Sequence, residues 1–588
     1  MATYKAPLDS TLFLLNEVLG YPRLLNLPGF AEAGPDMAAA ILDEGARLAE
    51  EVLAPLNRVG DIEGCTRGAD GSVTTPAGFR AAYDQFAAGG WIGLSGDPAY
   101  GGQGLPYVLS AAMNEYVTSA NMAFGMYPGL TQGAIAALTL HGSEEQKRLY
   151  LPKLMSGEWA GTMNLTEPQA GTDVGLIRTR ATPHDDGSFA ISGSKIFISS
   201  GEHDLTPNIV HLVLARIDGA PEGTKGISLF VVPKFVPASD GSPGARNAVA
   251  CGALETKMGI HGNATCVMNY DGAMGWLVGE RDKGLRAMFT MMNEARLGVG
   301  IQGLALSEVA YQNAAIYARE RRQGRALTGA KDAAAAADPI LVHPDIRRTL
   351  LTIRGFNIAA RALILDTALA ADIAHRSPDA AARQAADDRL GLLTPVVKGV
   401  LTDRGFDNTV AAQQVWGGHG YIAENGMEQF VRDARIAQIY EGANGIQALD
   451  LVGRKLPKDG GRAVTAFFKE VGTFIAENGS GDMAPFVKPL KTGLDHLQQA
   501  TMWFMANALA KPDNAGAGAT DYMHLFGLVA LGHLWARIAL ASAGKPERAA
   551  DLIAGRAFME RAMPETALRL ARVTTGADTV MAMPAEAF

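Results

Sequence analysis

A block of short β-branched segments interrupts an otherwise helical sequence, and this order limits the possible folds more than any other feature. Up to about residue 160 the chain has the apolar period of amphipathic helices. Segments such as "PNIVHLVLARI" and "GISLFVVPKF" follow, separated by Gly, Pro and Asp, and they predict strands. Long helical segments return at about residue 284. Because helices and strands are segregated rather than alternating, the order disfavours a Rossmann-type parallel sheet.

This order predicts a mixed α and β fold that is mainly α. We expect an N-terminal helical domain with a short N-terminal extension (1–160), a central antiparallel β domain (161–283), a C-terminal helical bundle (284–455) and an additional C-terminal helical domain (456–588). A chain of 588 residues, 48 % of them hydrophobic, is long and apolar enough for several cores. In the first domain, Ser143 and Gln146 have the spacing of a helix capping box.

Net charge and cysteine content limit the possible binding partners and the cellular compartment. The formal net charge of −9 argues against a general nucleic-acid or anionic-membrane binder. Cys65, Cys251 and Cys266 form no CxxC motif, which fits a reducing cytoplasm. The N-terminus lacks the pattern of a signal peptide. His533 and Arg537 interrupt the most apolar late stretch, which predicts a buried helix rather than a membrane span. We expect a cytoplasmic protein without a membrane span or a metal site.

Two segments around the start of the β domain carry candidate ligand-binding groups. The loop "GTMNLTEPQAGTDVG" (161–175) offers hydroxyls and free backbone N–H groups, although such a composition is also typical of an ordinary turn. In "GSKIFISSGEHD" (193–204), Phe197 and Ser199 lie on one face of a strand by the period of two. An aromatic beside a hydroxyl can stack on a flat ring and bind its edge, but a half-buried strand explains the pattern equally.

The third segment, "AAQQVWGGHGYIAENGMEQFVRDARIAQIYEG" (411–442), contains a helix that ends in a glycine-rich turn at Gly417, Gly418 and Gly420. Free N–H groups in such a turn suit a pyrophosphate, although a helix stop alone would explain the glycines. The segment ends in Glu441, which by itself would be a solvated surface charge.

Taken together, the three segments resemble those of the acyl-CoA dehydrogenase family, over most of 30–455. "LTEPQAGTD" and "QVWGGHGYIAENGMEQFVRDAR" look like the two family signatures, and "QIYEGANGIQ" is similar to the catalytic segment. The two terminal extensions resemble an enlarged subgroup, which includes dehydrogenases of 3-(methylthio)propanoyl-CoA in dimethylsulfoniopropionate breakdown. The resemblance implies FAD as the cofactor and the same fold.

The resemblance also implies α,β-dehydrogenation of a short acyl-CoA, with 3-(methylthio)propanoyl-CoA and 3-(methylthio)acryloyl-CoA as the leading substrate and product. Glu441 would remove the α-proton, and the β-hydride would pass to flavin N5. Such a base must be shielded from water, and the enolate oxygen needs donors such as the backbone N–H of Glu441. In some members the base lies at the position of Ala295, which cannot take a proton here; the adjacent Glu294 points about 100° away on a helix.

The family's binding residues carry over by position. The residues implied in flavin binding are Met163, Leu165, Thr166, Gly171, Thr172, Phe197, Ser199, Arg321, Gln323, Gln414, Gly417, Gly418, Asn444 and Gln447. Those implied in substrate binding are Arg296, Asn293, Tyr440 and Gly442. Phe197 stands where many members have Trp, and Ala443 replaces a frequent Thr. Arg296 has the alternative of a plain helix-surface charge.

The resemblance implies partners as well. Family flavin sites span two subunits, so we expect an oligomer, with a homodimer favoured, and electron-transfer flavoprotein as the acceptor. The alternatives are a dehydrogenase for ordinary short- or medium-chain acyl-CoA, an acyl-CoA oxidase, and a DNA-binding relative. Residues 455–588 contain fourteen Lys and Arg against thirteen Asp and Glu, and this balance disfavours DNA binding.

Overall fold

The computed structural model describes residues 2–588. They form two compact units: one contains the residues up to Asp43 together with Val299–Phe588, and the other is Glu44–Gly298. Helices predominate, and the strands fall in the first half of the chain, between helical regions. The predicted fold class is therefore confirmed. The proposed domain boundaries after residues 160, 283 and 455 stay predictions.

The helices before the main sheet are mostly short. They are α1 (Leu8–Phe13), α2 (Pro35–Leu48), α3 (Ala54–Glu63), α4 (Phe79–Ala88), α5 (Tyr107–Ala120), α6 (Met122–His141) and α7 (Glu144–Met155). The predicted capping box begins α7: the Gln146 N–H donates to Ser143 Oγ at 3.1 Å, and the Ser143 N–H donates to Gln146 Oε1 at 3.0 Å. Two backbone donors that the helix leaves unsatisfied are thus paired.

The strands form one main sheet and two small hairpins. They are β1 (Thr66–Arg67), β2 (Val73–Thr74), β3 (Trp159–Asn164), β4 (Arg180–Pro183), β5 (Phe189–Ser199), β6 (Asn208–Ile217), β7 (Ser228–Pro233), β8 (Phe235–Pro237), β9 (Pro243–Arg246), β10 (Val249–Leu254) and β11 (Thr265–Val278). The main sheet has the order β10-β11-β5-β4-β6-β3, and β7 pairs with both β11 and β6. It is antiparallel, as expected, except that β3 and β4 pair with β6 in parallel.

The position of β6 in the sheet explains its sequence. It pairs with β3, β4 and β7, and all its residues except Arg216 are buried. A strand covered on both faces needs a continuous apolar run rather than alternation, which "NIVHLVLARI" provides. Ile191, Val213 and Phe230 contribute to the core beside this sheet. The sheet is thus a rigid base for the loop that follows β3.

The second half of the chain is helical. Its helices are α8 (Gly284–Glu320), α9 (Pro344–Arg376), α10 (Ala380–Val415), α11 (Met427–Arg435), α12 (Asn444–Asp450), α13 (Arg462–Asn478), α14 (Ala484–Asn507), α15 (Pro512–Ala541), α16 (Ala549–Arg561), α17 (Glu565–Thr575) and α18 (Asp578–Ala582). Gly417–Tyr421 forms a short 3₁₀ turn after α10, so the helix does end at the predicted glycines.

Helix α15 is the core helix of the additional C-terminal block. Among residues 2–588 it alone has the length and apolar character to cross a membrane, but 89 % of its most apolar window is buried within the protein. This agrees with the prediction of a buried helix. Glycines let it approach α10 closely, since a Cβ on Gly399 would lie 2.4 Å from Met523 Sδ and one on Gly527 would lie 2.7 Å from a methyl of Val400.

The N-terminal extension (2–26) is joined to the C-terminal block. Arg537 Nη2 donates to the Val18 carbonyl at 2.9 Å, and Arg548 pairs with Asp9 at 2.6 Å. Leucines of the same segment, Leu14 and Leu15 among them, are fully buried. The first and last parts of the chain therefore belong to one folded unit.

Candidate active site

The loop after β3 is fixed to β5 by backbone and charged contacts. The Ile196 N–H donates to the Thr166 carbonyl at 2.9 Å, and Lys195 Nζ donates to the Leu165 carbonyl at 3.0 Å. Lys195 Nζ also pairs with Glu167 Oε1 at 2.8 Å, with both side chains buried. The first two predicted ligand-binding segments are thus adjacent.

The contact with Lys195 keeps the Glu167 carboxyl ionised. Burial alone would raise the pKa of the Glu167 carboxyl, but the Lys195 ammonium and hydrogen bonds from Thr179 and the Arg178 N–H outweigh it, and the pKa lies well below its ordinary value. The charge pair therefore persists at neutral pH and locks the loop. No local sequence pattern marks either partner, although both lie inside the first two predicted segments.

Phe197 presents an exposed ring beside this loop. Its φ is +60°, a left-handed value that is uncommon outside glycine, and the pairing of β5 with β11 shifts register between Cys266 and Met268. The bulge re-aims the side chain, and Phe197 is 60 % exposed while Ser199 is half-buried. An exposed aromatic with a hydroxyl two residues on suits the face and edge of a flat ring.

The other residues of the predicted loop line this region without being buried in a core. Met163, Leu165 and Thr166 are half-buried, and Gly171 and Thr172 are exposed. Their side chains and backbone are therefore available to a ligand. Their contact with flavin remains a prediction.

A second group of predicted flavin-binding residues lies where α8 ends. Tyr317 stacks on Trp416 with ring centroids 4.3 Å apart, and its hydroxyl lies 2.8 Å from His419 Nδ1. These contacts join the end of α8, which precedes the exposed predicted residues Arg321 and Gln323, to the glycine turn.

The glycine turn itself leaves backbone open to solvent. Gln414, Gly417 and Gly418 are exposed, and Gly417 has a left-handed φ of +55°. The structure thus brings Arg321, Gln323, Gln414, Gly417 and Gly418 into one region of the unit that contains Val299–Phe588. An exposed glycine turn and an exposed arginine are each suited to an anionic ligand.

Glu441 sits in a strained turn between the short 3₁₀ helix Ile436–Gln438 and α12. Its φ is +56°, and the next residue, Gly442, has φ +86°. A non-glycine residue in this region costs about 1–3 kcal/mol and persists only where its surroundings enforce it. Here Gln447 Nε2, which is fully buried, donates to the carbonyls of Glu441 at 3.0 Å and Gly442 at 3.1 Å. The turn is therefore held, and Glu441 itself is half-exposed.

Tyr440 and Asn444 flank the turn on either side. Burial raises the pKa of Tyr440, so its hydroxyl stays protonated, and it donates to Gln302 Oε1 at 2.5 Å. Asn444 is buried; its Oδ1 accepts from Lys398 Nζ at 2.7 Å, and its Nδ2 donates to Asp403 Oδ1 at 2.6 Å. Asn444 and Gln447 thus anchor the turn in this structure, and their predicted contact with flavin stays a prediction. Sequence patterns gave no signal for Gln302 or Asp403.

Arg296 and Asn293 lie together on α8. Arg296 Nη1 is 3.4 Å from Asn293 Oδ1, and the guanidinium lies over the Phe289 ring at 5.9 Å. Arg296 is only 7 % exposed, so the alternative of a helix-surface charge is wrong. Burial raises the pKa of the neighbouring Glu294 carboxyl, against a hydrogen bond from Tyr107. Glu294 is thus a carboxyl with a raised pKa, and it serves as a control for Glu441.

Family comparisons cover almost the whole chain. The matching descriptions are "Acyl-CoA dehydrogenase, N-terminal domain" (37–158), "Acyl-CoA dehydrogenase, middle domain" (162–273), "Acyl-CoA dehydrogenase, C-terminal domain" (282–456) and "Acetyl-CoA dehydrogenase C-terminal like" (467–584). The last match shows that the additional C-terminal block is itself a recognised domain.

Two curated relatives and one solved structure resemble the chain over most of their lengths. The 3-methylmercaptopropionyl-CoA dehydrogenase of Ruegeria pomeroyi is 42 % identical, over 98 % of this chain and 99 % of the relative. The broad-specificity linear acyl-CoA dehydrogenase FadE5 of Mycobacterium tuberculosis is 38 % identical, over 82 % and 80 %. The crystal structure of a Bacillus anthracis acyl-CoA dehydrogenase complexed with FAD has a TM-score of 0.76 and 21 % identity, covering 95 % of this chain and 91 % of its own, which shows a shared fold.

Proposed function

Because the chain belongs to the acyl-CoA dehydrogenase family, we propose that Glu441 removes the α-proton of a short acyl-CoA thioester as it is oxidised to the 2-enoyl-CoA. The observation that carries this proposal is the strained, braced turn at Glu441. Strain of this kind concentrates where a side chain must be aimed at a substrate. The two electrons leave with the β-hydride, and the α-proton goes to the carboxylate, so the thioester loses two hydrogens in all.

FAD is the cofactor of this family, and the residues present fit it. Phe197 offers an exposed ring and Ser199 a half-buried hydroxyl, and Arg321 and the glycine turn are exposed. We propose that the residues carried over by position hold the flavin, which would supply the hydride acceptor. The backbone N–H of Glu441 would donate to the thioester oxygen and stabilise the developing enolate. Tyr440, Gly442, Asn293 and Arg296 would contact the acyl-CoA.

The test of the base compares two carboxyl-to-amide variants. Glu441→Gln keeps the volume and loses the base, so we expect FAD content and thermal stability near wild type and kcat lower by about a thousandfold or more. Glu294→Gln is the matched control and should keep kcat within about threefold. The rate at which butanoyl-CoA bleaches the flavin in the absence of oxygen is measured for both variants. If Glu294→Gln is the inactive variant, the base has been misassigned.

For the substrate we propose 3-(methylthio)propanoyl-CoA, which is the compound named in the Ruegeria pomeroyi relative. A thioether is close to a methylene in size and polarity, so butanoyl- and pentanoyl-CoA should also react; one such group in an apolar pocket is worth about 1–3 kcal/mol. The measurement is kcat/KM across butanoyl-, 3-(methylthio)propanoyl-, octanoyl- and palmitoyl-CoA. A preference for palmitoyl-CoA by more than tenfold would overturn the proposal and favour an ordinary linear acyl-CoA dehydrogenase.

The partners follow from the same family membership. We propose a cytoplasmic homodimer whose reduced flavin is reoxidised by electron-transfer flavoprotein. Stopped-flow reoxidation separates this from the oxidase alternative: a dehydrogenase should reoxidise slowly in air and quickly with the flavoprotein. Light scattering of the FAD-loaded protein gives the oligomeric state.

A further inference from the structure

One carboxylate, that of Asp403, connects both ends of the turn that contains Glu441 to the additional C-terminal block. Asp403, on α10, accepts from Gln438 Nε2 at 2.7 Å and from Asn444 Nδ2 at 2.6 Å. Gln438 lies three residues before Glu441, and Asn444 lies three residues after it. The second carboxylate oxygen is 2.9 Å from Nε2 of His524, on α15.

The donor and acceptor roles in this cluster follow from its chemistry. Burial alone would raise the pKa of Asp403, but hydrogen bonds from His524, Gln438 and Asn444 outweigh it, and the pKa lies below its ordinary value. An ionised carboxylate only accepts, so the His524 Nε2–H must donate. Lys398 bonds Asn444 Oδ1 and thereby turns the amide nitrogen toward Asp403.

The His524 side chain makes no other hydrogen bond among residues 2–588. Its Nδ1 is buried without a partner, and the residue is 6 % exposed. A buried polar atom without a hydrogen bond lowers the stability of the fold, so an apolar residue would be more favourable here if packing were the only requirement. Its bond to Asp403 is charge-assisted, which makes it stronger than a neutral one.

We propose that His524 is a positioning residue for the reaction: acting through Asp403, it holds the turn so that Glu441 points at the substrate α-carbon. The inference rests on the proposed role of Glu441 as base. It gives the additional C-terminal block a part in catalysis, because α15 supplies the histidine. His524 touches neither substrate nor cofactor in this scheme; it fixes the geometry of the residue that does.

The test must separate this role from the packing of α15. His524→Phe keeps a ring and loses the donor, whereas His524→Gln retains an N–H donor. His533→Phe is the matched control, because His533 is also buried on α15 but lies near Glu470, away from the turn. Asp403→Asn, which removes the acceptor charge with little change in volume, is a second probe should His524→Phe fail to fold.

The first measurement is exchange of the α-protons of a 3-thia-acyl-CoA with D₂O on the FAD-loaded enzyme. Sulfur at position 3 leaves no β-hydride to transfer, so exchange reports proton removal alone. We expect exchange to slow about tenfold in His524→Phe and Asp403→Asn, to recover to within about threefold of wild type in His524→Gln, and to be unchanged in His533→Phe. With butanoyl-CoA, kcat should fall in parallel while KM and FAD content stay within about threefold.

Two results would overturn the inference. One is an exchange rate in both His524→Phe and Asp403→Asn within twofold of wild type. The other is an equal loss in His533→Phe, which would mean that general packing of α15 is responsible. Glu441→Gln, measured in the same assay, separates the two proposals: normal exchange there refutes the base itself, whereas blocked exchange with an unaffected His524→Phe refutes only the role of His524.

Discussion

At the scale of single residues, the backbone of Glu441 shows a conflict between stability and function. A non-glycine residue with a backbone φ of +56° is strained, and glycine at this position would relieve that strain. The proposed role of Glu441 as the base nevertheless requires a carboxylate at this point of the turn. The segment that contains it was recognisable in the sequence, whereas its conformation depends on Gln447, Asn444 and Asp403, whose pairing is set by the tertiary fold.

We predict that Glu441→Gly is more stable than Glu441→Ala, although both lack the carboxylate and should be inactive. Alanine keeps the Cβ that opposes a left-handed φ, so the difference in unfolding free energy should be about 1 kcal/mol in favour of glycine. Apparent Tm of the FAD-loaded variants measures it. Equal stability would show that the turn relaxes to another conformation when the carboxylate is removed.

At the scale of elements, each unit has one contact that orders its candidate segments: the Lys195–Glu167 pair joins the loop after β3 to β5, and close glycine packing joins α10 to α15. The sequence predicted the elements because their apolar periods are local properties. It did not predict the buried charge pair or the β-bulge at Phe197, since both depend on which strands become neighbours. The prediction from period two that Phe197 and Ser199 share one face did not allow for this bulge.

We predict that Lys195→Met is strongly destabilising, because it leaves the Glu167 carboxylate buried without its cation. Breaking one side of a buried pair costs about 3–5 kcal/mol, and the freed loop should also lose FAD. Lys491→Met is the matched control: its pair with Asp495 is exposed, and its loss should cost less than about 1 kcal/mol. Flavin absorbance and apparent Tm are the readouts. Retention of FAD in Lys195→Met would show that the loop is held by other contacts.

A second prediction at this scale concerns two glycines of α15. Gly527→Ala should cost about 1–3 kcal/mol, because the new methyl would lie 2.7 Å from Val400. Gly516→Ala should instead stabilise the helix by up to about 1 kcal/mol, since nothing lies within 4 Å of the added carbon. Thermal unfolding of the two variants provides the comparison. A stabilising Gly527→Ala would mean that α10 and α15 separate easily.

At the scale of the whole molecule, the order of helical and strand segments in the sequence was sufficient to predict the fold class, because hydrophobic period and segment length are readable without contacts. The division of the chain into compact units could not be predicted from the sequence. The N-terminal extension, predicted only as a short addition, forms part of the same unit as the last helices. Its partners lie more than 500 positions away in the chain.

We predict that deletion of residues 2–19 lowers the apparent Tm by several degrees and increases amide exchange in α15 and α16. The deletion removes Leu14 and Leu15 from a core, each worth about 1.5–3 kcal/mol, whereas the exposed ion pair of Asp9 matters little. Deletion of the exposed residues 583–588 is the control and should change neither quantity. Unaltered exchange in α15 after the N-terminal deletion would contradict the prediction.

The joining of the two chain ends has a consequence for synthesis on the ribosome. Val18 emerges early, but its partner Arg537 is translated 519 residues later, which at roughly 5–20 residues per second is a delay of about half a minute to two minutes. The continuous unit Glu44–Gly298 can fold during this interval, whereas the apolar leucines of the extension wait without their final contacts. The extension therefore waits longest for its partners, so chaperones that act at the ribosome have the most time to bind it, and slow translation should lengthen its exposure.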